Sequence, residues 1–355
     1  MQNVKITTFC LLLAAAIGLS LCIAGCDKPV EPKPLTDYPV YFCDPEGTPE
    51  LFTYHPLTQQ VDSIEIPWRP REGITVSADG KHLYLALRTS VVVVETDSLS
   101  VIAELQYEPD RPVAVSPDNQ LVAITGDDLY ILRTCDYAVV FSDTDRTENG
   151  YFSSDSRSFY CAAGWSSDSR GVVYKVDLTD SLFPVTRRPF AEGGVVHVIP
   201  SMDESKWFLY LTVQTWISVF EVYDVFKDSI IFREGLTPGY GHIAISPDGK
   251  YAVYTNPGRS ATDPPAPPAF TVFDIESNAI DTVVSDIDFF SDSTWVAHPN
   301  WLAITPDSQW LAILGGSLAL RVLYLYDIQK GQLVHREDWG GSGHTFTNLS
   351  VQNAR

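Results

Sequence analysis

One phrase recurs along this chain, and its return at near-regular intervals constrains the fold more than any other feature. It reads ITVSADGKHLYLAL at 74–87, VAVSPDNQLVAIT at 113–125, IAISPDGKYAVYT at 243–255 and LAITPDSQWLAIL at 302–314. Two looser copies are YFSSDSRSFYCAA at 151–163 and VIPSMDESKWFLYL at 198–211. The acids that align are Asp79, Asp118, Asp155, Asp203, Asp248 and Asp307, spaced by 39, 37, 48, 45 and 59 residues. Self-similarity at such periods is the signature of a repeat fold built from one supersecondary unit.

The chemistry of the phrase identifies the unit. Apolar residues alternate on both sides of a turn-forming core. Proline presets φ, aspartate bonds the backbone just ahead, and glycine accepts positive φ. Asn119 also tolerates left-handed geometry, whereas Ser156, Glu204 and Ser308 do so less readily. The phrase therefore predicts a β-hairpin. A second hairpin follows each copy, at 91–105, 128–141, 171–185, 219–232, 270–283 and 322–335. Asp177, Asp224, Asp274 and Asp327 stand at its turn entry. No helical period is sustained between the hairpins. Four strands per unit describe a β-propeller blade.

The two ends supply one more unit. From Gly343 the C-terminus reads GHTFTNLSVQNAR, which aligns with GHIAISPDGKYAV from Gly241. It offers a first strand without a following hairpin. Residues 38–68 offer three strand-like pieces without a preceding phrase. Together they predict a composite blade that closes the ring and removes exposed sheet edges. The expected fold is all-β, a seven-bladed propeller over 38–355, with blades one to six internal and blade seven composite. The 318 residues of that span divide into about 45 per blade, the usual size for this architecture. The repeat resembles the YVTN-type seven-bladed propellers and, more loosely, the TolB-like and lactonase propellers. That resemblance implies a fold and not an activity.

The segment before the repeats is of another kind. Residues 1–25, MQNVKITTFCLLLAAAIGLSLCIAG, hold one early cation, Lys5, and an apolar run from about Phe9 to Ala24. The run reads as a secretory signal. It ends in Ile23-Ala24-Gly25-Cys26, which resembles the lipobox of bacterial lipoproteins. The resemblance implies cleavage before Cys26 and acyl chains such as palmitate on that residue, tying the protein to a membrane. Residues 26–37 hold Pro29, Pro32 and Pro34 and read as an extended tether. The protein is thus expected on a bacterial cell envelope, exported and lipid-anchored. Cys43, Cys135 and Cys161 remain, allowing at most one disulfide; three buried small side chains is the simpler expectation.

Charge narrows the partners. The chain carries 45 acids against 24 bases, a net charge of −21. A phosphate backbone is repelled by such a surface, so nucleic acid is not expected. An envelope protein, peptide or glycan fits better, and the propeller is expected to act as a monomer. Two insertions interrupt the rhythm. Residues 256–269, NPGRSATDPPAPPA, form a Pro-rich excursion that suits either solvent or docking. Residues 285–299 carry Phe289, Phe290 and Trp295, best suited to packing on a neighbouring blade.

Chemistry is expected where the first strands begin, at one mouth of the central channel. Alignment on the aspartates places Gly73, Pro112, Asn149, His197, His242, Trp301 and His344 there. Arg71, Asp110, Arg111, Glu148 and Tyr240 lie one or two residues earlier. Imidazoles, guanidinium groups and aromatics in one ring could grip a carboxylate, a metal or a cofactor edge. A histidine before a strand also serves simply to cap a turn. No HExxH, GxSxG or phosphate loop occurs, and Asp168 in GWSSDSRG departs from the Asp-box pattern. No catalytic residue, cofactor or metal is assigned. The expected role is a non-enzymatic binding or scaffolding module, with His197, His242, His344, Trp301, Arg71, Arg111 and Tyr240 as candidate ligand contacts. The lactonase resemblance implies an alternative, a hydrolase using His242 with Arg71 or Arg111. A redox-associated propeller is the other alternative, without covalent haem c because no CxxCH occurs.

Overall fold

The computed structural model describes residues 38–44, 49–70, 73–163, 171–190, 193–213, 217–236, 241–256, 269–285, 298–316, 320–340 and 347–351. The signal, the tether, Asp168 and most of both insertions lie outside these residues.

Seven four-stranded antiparallel sheets account for the described strands, and no helix is among them. Six sheets use four consecutive strands each. In the seventh the order runs from the last strand, Thr347–Val351, to the first three, Val40–Asp44, Glu50–His55 and Gln60–Glu65. Phe42 lies opposite both Phe52 and Leu349, so the chain ends meet inside one blade. The composite blade and the ring of seven are as the repeat predicts.

Each blade is buried on both faces by its neighbours, which explains the continuous apolar runs of the middle strands. Val91–Glu95 buries all four valines, whereas Val101–Leu105, the fourth strand of the same blade, is mostly exposed. Seven apolar clusters follow, one between each pair of adjacent blades. Between blades four and five, Phe220 stacks on Tyr254 with ring centroids 3.9 Å apart. Each fully buried ring of this kind contributes about 1.5–3 kcal/mol.

The recurring phrase folds the same way in all six copies. In blade five, Ser246 Oγ donates to Asp248 Oδ1 at 2.7 Å and accepts from the Tyr251 N–H at 2.9 Å. Asp248 Oδ1 also accepts the Lys250 N–H at 3.1 Å. Thr305 takes the serine's place in blade six. The position directly after the aspartate has positive φ throughout: Gly80, Asn119, Ser156, Glu204, Gly249 and Ser308. Serine and glutamate there adopt a backbone they disfavour because the turn's hydrogen bonds and the strand pairing hold it. The third-to-fourth turns use the other aspartates as expected, with Asp327 Oδ1 accepting the Lys330 N–H at 2.9 Å.

The three described cysteines are all free. Cys43 and Cys161 are buried, but Cys135 is exposed, against the expectation of three buried thiols. It sits at the surface, in a third-to-fourth turn.

Candidate functional site

The first strand of every sheet is an end strand, so one backbone edge of each faces the central channel. Those edges need partners. Some come from adjacent blades: Thr75 Oγ1 donates to the Val113 carbonyl at 2.7 Å, and Asn149 Nδ2 to the Val196 carbonyl at 3.3 Å. What is left open is a cavity of about 390 Å³ along the channel. Its walls are the first strands of six blades, with Val113, Val115, Ile243, Ile245 and Leu302 along its length and Asn149, His242 and Trp301 at the strand-entry end.

Local backbone irregularity aims the entry residues. The expected positions precede the first strand in blades two and five, where the strands are Ala114–Val115 and Ile243–Ile245. In blades three, four and six the strand starts earlier, at Thr147–Phe152, Gly194–Pro200 and His298–Ile304. There the equivalent residues lie inside the strand, because a register shift intervenes between Thr147 and Gly150, Val195 and His197, and Pro299 and Trp301. A bulge of this kind bends the strand and turns a side chain aside from the ladder. Gly73 likewise opens its strand, Gly73–Val76.

Three of the candidate residues converge. The His197 and His242 rings lie 4.9 Å apart, and His242 lies 4.2 Å from the Trp301 ring. The Tyr151 hydroxyl meets His197 Nδ1 at 3.3 Å. The His242 N–H donates to Thr255 Oγ1 at 2.9 Å, which anchors the residue to the second strand. Arg111 forms an ion pair with buried Glu148 at 2.7 Å and donates to the Asp110 carbonyl at 3.0 Å. Arg146 reaches Asp110 at 3.2 Å on the outer side.

The electrostatics follow from that crowding. Burial lowers the His197 pKa well below its usual value, and the His242 and Arg111 charges push it further the same way. Burial, then Arg111, lowers His242 to about 3. Both imidazoles are therefore neutral at ordinary pH, each with one N–H donor and one lone pair. Burial raises the Tyr151 hydroxyl, which stays a neutral donor or acceptor. The site presents uncharged hydrogen-bonding groups beside an indole face, with its guanidinium already paired.

Among the described residues, no three His, Cys, Asp or Glu side chains are placed to hold a metal ion. His344, Arg71, Tyr240 and Cys26 lie outside the described residues. Sequence reasoning missed Tyr151 and Arg146. The first stands two residues beyond Asn149, on the same strand face, and period-two alternation could have found it. Nothing in the local sequence marks Arg146.

No protein-family model matches the chain, and no curated protein matches it by sequence. Solved structures do resemble it. A putative 6-phosphogluconolactonase from Bacteroides fragilis aligns with a TM-score of 0.63 at 13% identity, covering 90% of this chain and 99% of that one. Kuenenia stuttgartiensis hydrazine synthase gives 0.61 at 15% identity, over 77% and 88% of the two chains. The dihydro-heme d1 dehydrogenase NirN, in complex with DHE, gives 0.57 at 15% identity, over 91% and 77%. At these identities the likeness is one of fold, and the chain is a seven-bladed β-propeller.

Proposed function

We propose that this chain is a bacterial envelope lipoprotein, anchored through Cys26, whose YVTN-type propeller binds an uncharged ligand at the channel mouth without transforming it. The observation that carries the binding reading is that His242 and Trp301, packed together, line the strand-entry end of the channel cavity, with the buried His197 ring against His242. Concave sites with apolar walls and a few convergent polar groups are the default binding sites of proteins. A neutral imidazole and an indole suit an uncharged group with an apolar body, such as a peptide side chain or a sugar face. The net charge of −21 weighs against nucleic acid.

A lactonase-type hydrolase using His242 and Arg111 is less well supported. A general base works best with a pKa near the working pH, and His242 is held at about 3. Arg111 is engaged by Glu148, so it offers little to an anionic substrate such as a phosphorylated sugar. The lipoprotein reading rests on the lipobox-like Ile23-Ala24-Gly25-Cys26.

The test is a thermal-shift panel of peptides and oligosaccharides on the full chain, repeated with Trp301→Ala and His242→Ala. A specific ligand at a hundredfold its Kd adds about 2.7 kcal/mol of stability. Both variants should abolish that gain. A gain that survives both moves the site elsewhere, and turnover of a lactone lost in His242→Ala replaces binding by catalysis.

A further inference from the structure

The two faces of the propeller differ in where the described chain enters it. The second strand of each blade runs away from the Ser-x-Asp turn, and the first strand runs toward it. Channel-mouth residues, at the start of first strands, therefore lie on the face opposite those turns. The described chain enters the propeller at Tyr38 and goes straight into Val40–Asp44, a second strand. Val40 lies opposite Tyr54, just before the turn at 56–59. Tyr38, the first described residue, thus lies on the face of the turns, away from the mouth. Only 11 residues, 27–37, separate the lipobox cysteine from that entry. Fully extended, they reach about 40 Å.

The same face carries exposed apolar tips. Among the described residues, thirteen large hydrophobic side chains are exposed. Nine of them sit on fourth strands around the outer rim. The other four, Leu57, Leu182, Met202 and Phe226, all sit in turns of this one face. Leu182 and Phe226, on the neighbouring blades three and four, are 85% and 83% exposed. Such tips sit comfortably at a bilayer interface, where apolar side chains leave water. The many turn aspartates around them repel anionic headgroups and suit the outward ammonium groups of zwitterionic lipids.

We propose that the face of the turns is a membrane-docking surface, seated on zwitterionic lipid through Leu182 and Phe226, and that the channel mouth points away from the bilayer. This rests on the reading of Cys26 as the lipidated residue. It makes the mouth accessible to a ligand arriving from the aqueous side.

The molecule provides a reporter. Cys135 is an exposed free thiol in a turn of the docking face. Asp127, 84% exposed, lies in the same blade at the mouth end. The experiment uses the full lipidated chain in phosphatidylcholine–phosphatidylethanolamine vesicles with an acceptor dye on the headgroups. A donor dye is placed at Cys135, or at position 127 in a Cys135→Ser, Asp127→Cys variant. Transfer should be at least about threefold greater from position 135, because strands of five to eight residues separate the faces by about 20 Å. Equal transfer, or more from 127, overturns the orientation. Leu182→Ser with Phe226→Ser should reduce the contrast at least about twofold. An unchanged contrast removes the tips as the docking element. Mass spectrometry of the same sample separates the two readings. A chain without lipid on Cys26 defeats the anchoring reading, and a lipidated chain without contrast defeats this one alone.

Discussion

The two faces of this propeller are built on opposite principles. On the face of the turns, one arrangement is made six times: Ser77, Ser116, Ser153, Ser201, Ser246 or Thr305 bonded to its aspartate and to the next strand. At the mouth, equivalent positions hold Pro112, Asn149, His197, His242 and Trp301, no two neighbours alike except the histidines. Repetition there would be expected if those residues only capped strands. Where a repeat protein stops repeating, packing no longer dictates the residue, and the position is free to serve a ligand. The contrast extends to charge. The turns stabilise ionised carboxylates, while the mouth holds imidazoles neutral.

Acid should separate the two faces by about two pH units. In the unfolded chain each histidine takes up a proton near pH 6.5. In the fold His242 takes none until about 3. Between those values the unfolded chain holds more protons, so stability falls as pH falls. For His242 the loss from pH 6.5 to 5 is about 2 kcal/mol, and His197 acts in the same direction. The turn aspartates behave differently. Asp79 and Asp248 are pushed up by burial but pulled below the usual carboxylate range by their serine and backbone hydrogen bonds. In Asp155 the Ser153 bond dominates. Their contribution is intact above pH about 4 and lost only as acid protonates the folded carboxylates. Urea unfolding from pH 7 to 3 should thus show two limbs. His197→Gln with His242→Gln should flatten the upper limb alone. If the upper limb persists in that variant, the mouth is not held neutral. Arg111→Met relieves both histidines of a nearby charge, so their NMR titrations should move upward.

The next effect tests whether the turn face is as uniform as it looks. Asp248→Ala removes an acceptor for Ser246 Oγ and the Lys250 N–H, and should cost about 1.5 kcal/mol. Asp118→Ala, which strips the equivalent pair from Ser116 and the Gln120 N–H, should cost the same. The two lie in separate blades, so the double variant should lose the sum within about 0.5 kcal/mol. Denaturant midpoints measure all three. Strong non-additivity would mean that the turns communicate around the ring and that the repeat is no sum of equal units.

Legibility followed the same division. The ring, its seven units and the composite blade were readable because the turn chemistry is local and each copy restates it. Positive φ at Ser156, Glu204 and Ser308 was readable only by alignment with Gly80 and Gly249, since neither residue type asks for it. At the mouth, alignment found His197, His242, Trp301 and Arg111. It could not show that His242 lies between His197 and Trp301, because those contacts join residues 45 and 59 positions away in sequence. The bulge between Val195 and His197 was invisible, having no glycine or proline of its own to mark it, whereas Pro299 was the one sequence sign of the bulge before Trp301. The Arg111–Glu148 pair also escaped notice, although both residues had been placed at the mouth, since pairing is a matter of inter-blade geometry.

The smallest effect falls on one backbone torsion. Asn119 has φ of 58°, and its side-chain oxygen is buried without a hydrogen-bond partner. Its N–H donates to the Ser116 carbonyl and its own carbonyl accepts from Thr134 Oγ1, two bonds that any residue keeps. Nothing on this side chain is used. Glycine adopts the left-handed region freely and removes the orphaned oxygen, at the expense of extra freedom in the unfolded chain. Asn119→Gly should therefore stabilise by about 0.5 kcal/mol, and Asn119→Ala should cost about 1 kcal/mol, because alanine lacks both the freedom of glycine and the local tolerance of asparagine. At Gly249 the same exchange runs backward. There φ is +73° and an added Cβ would come within 2.9 Å of Met202 Cγ, so Gly249→Asn should destabilise by more than Asn119→Gly gains. Thermal midpoints resolve differences of this size. Should Asn119→Gly weaken the protein instead, the asparagine has a task that the other five turns lack, and the face of the turns would share the individuality assigned here to the mouth.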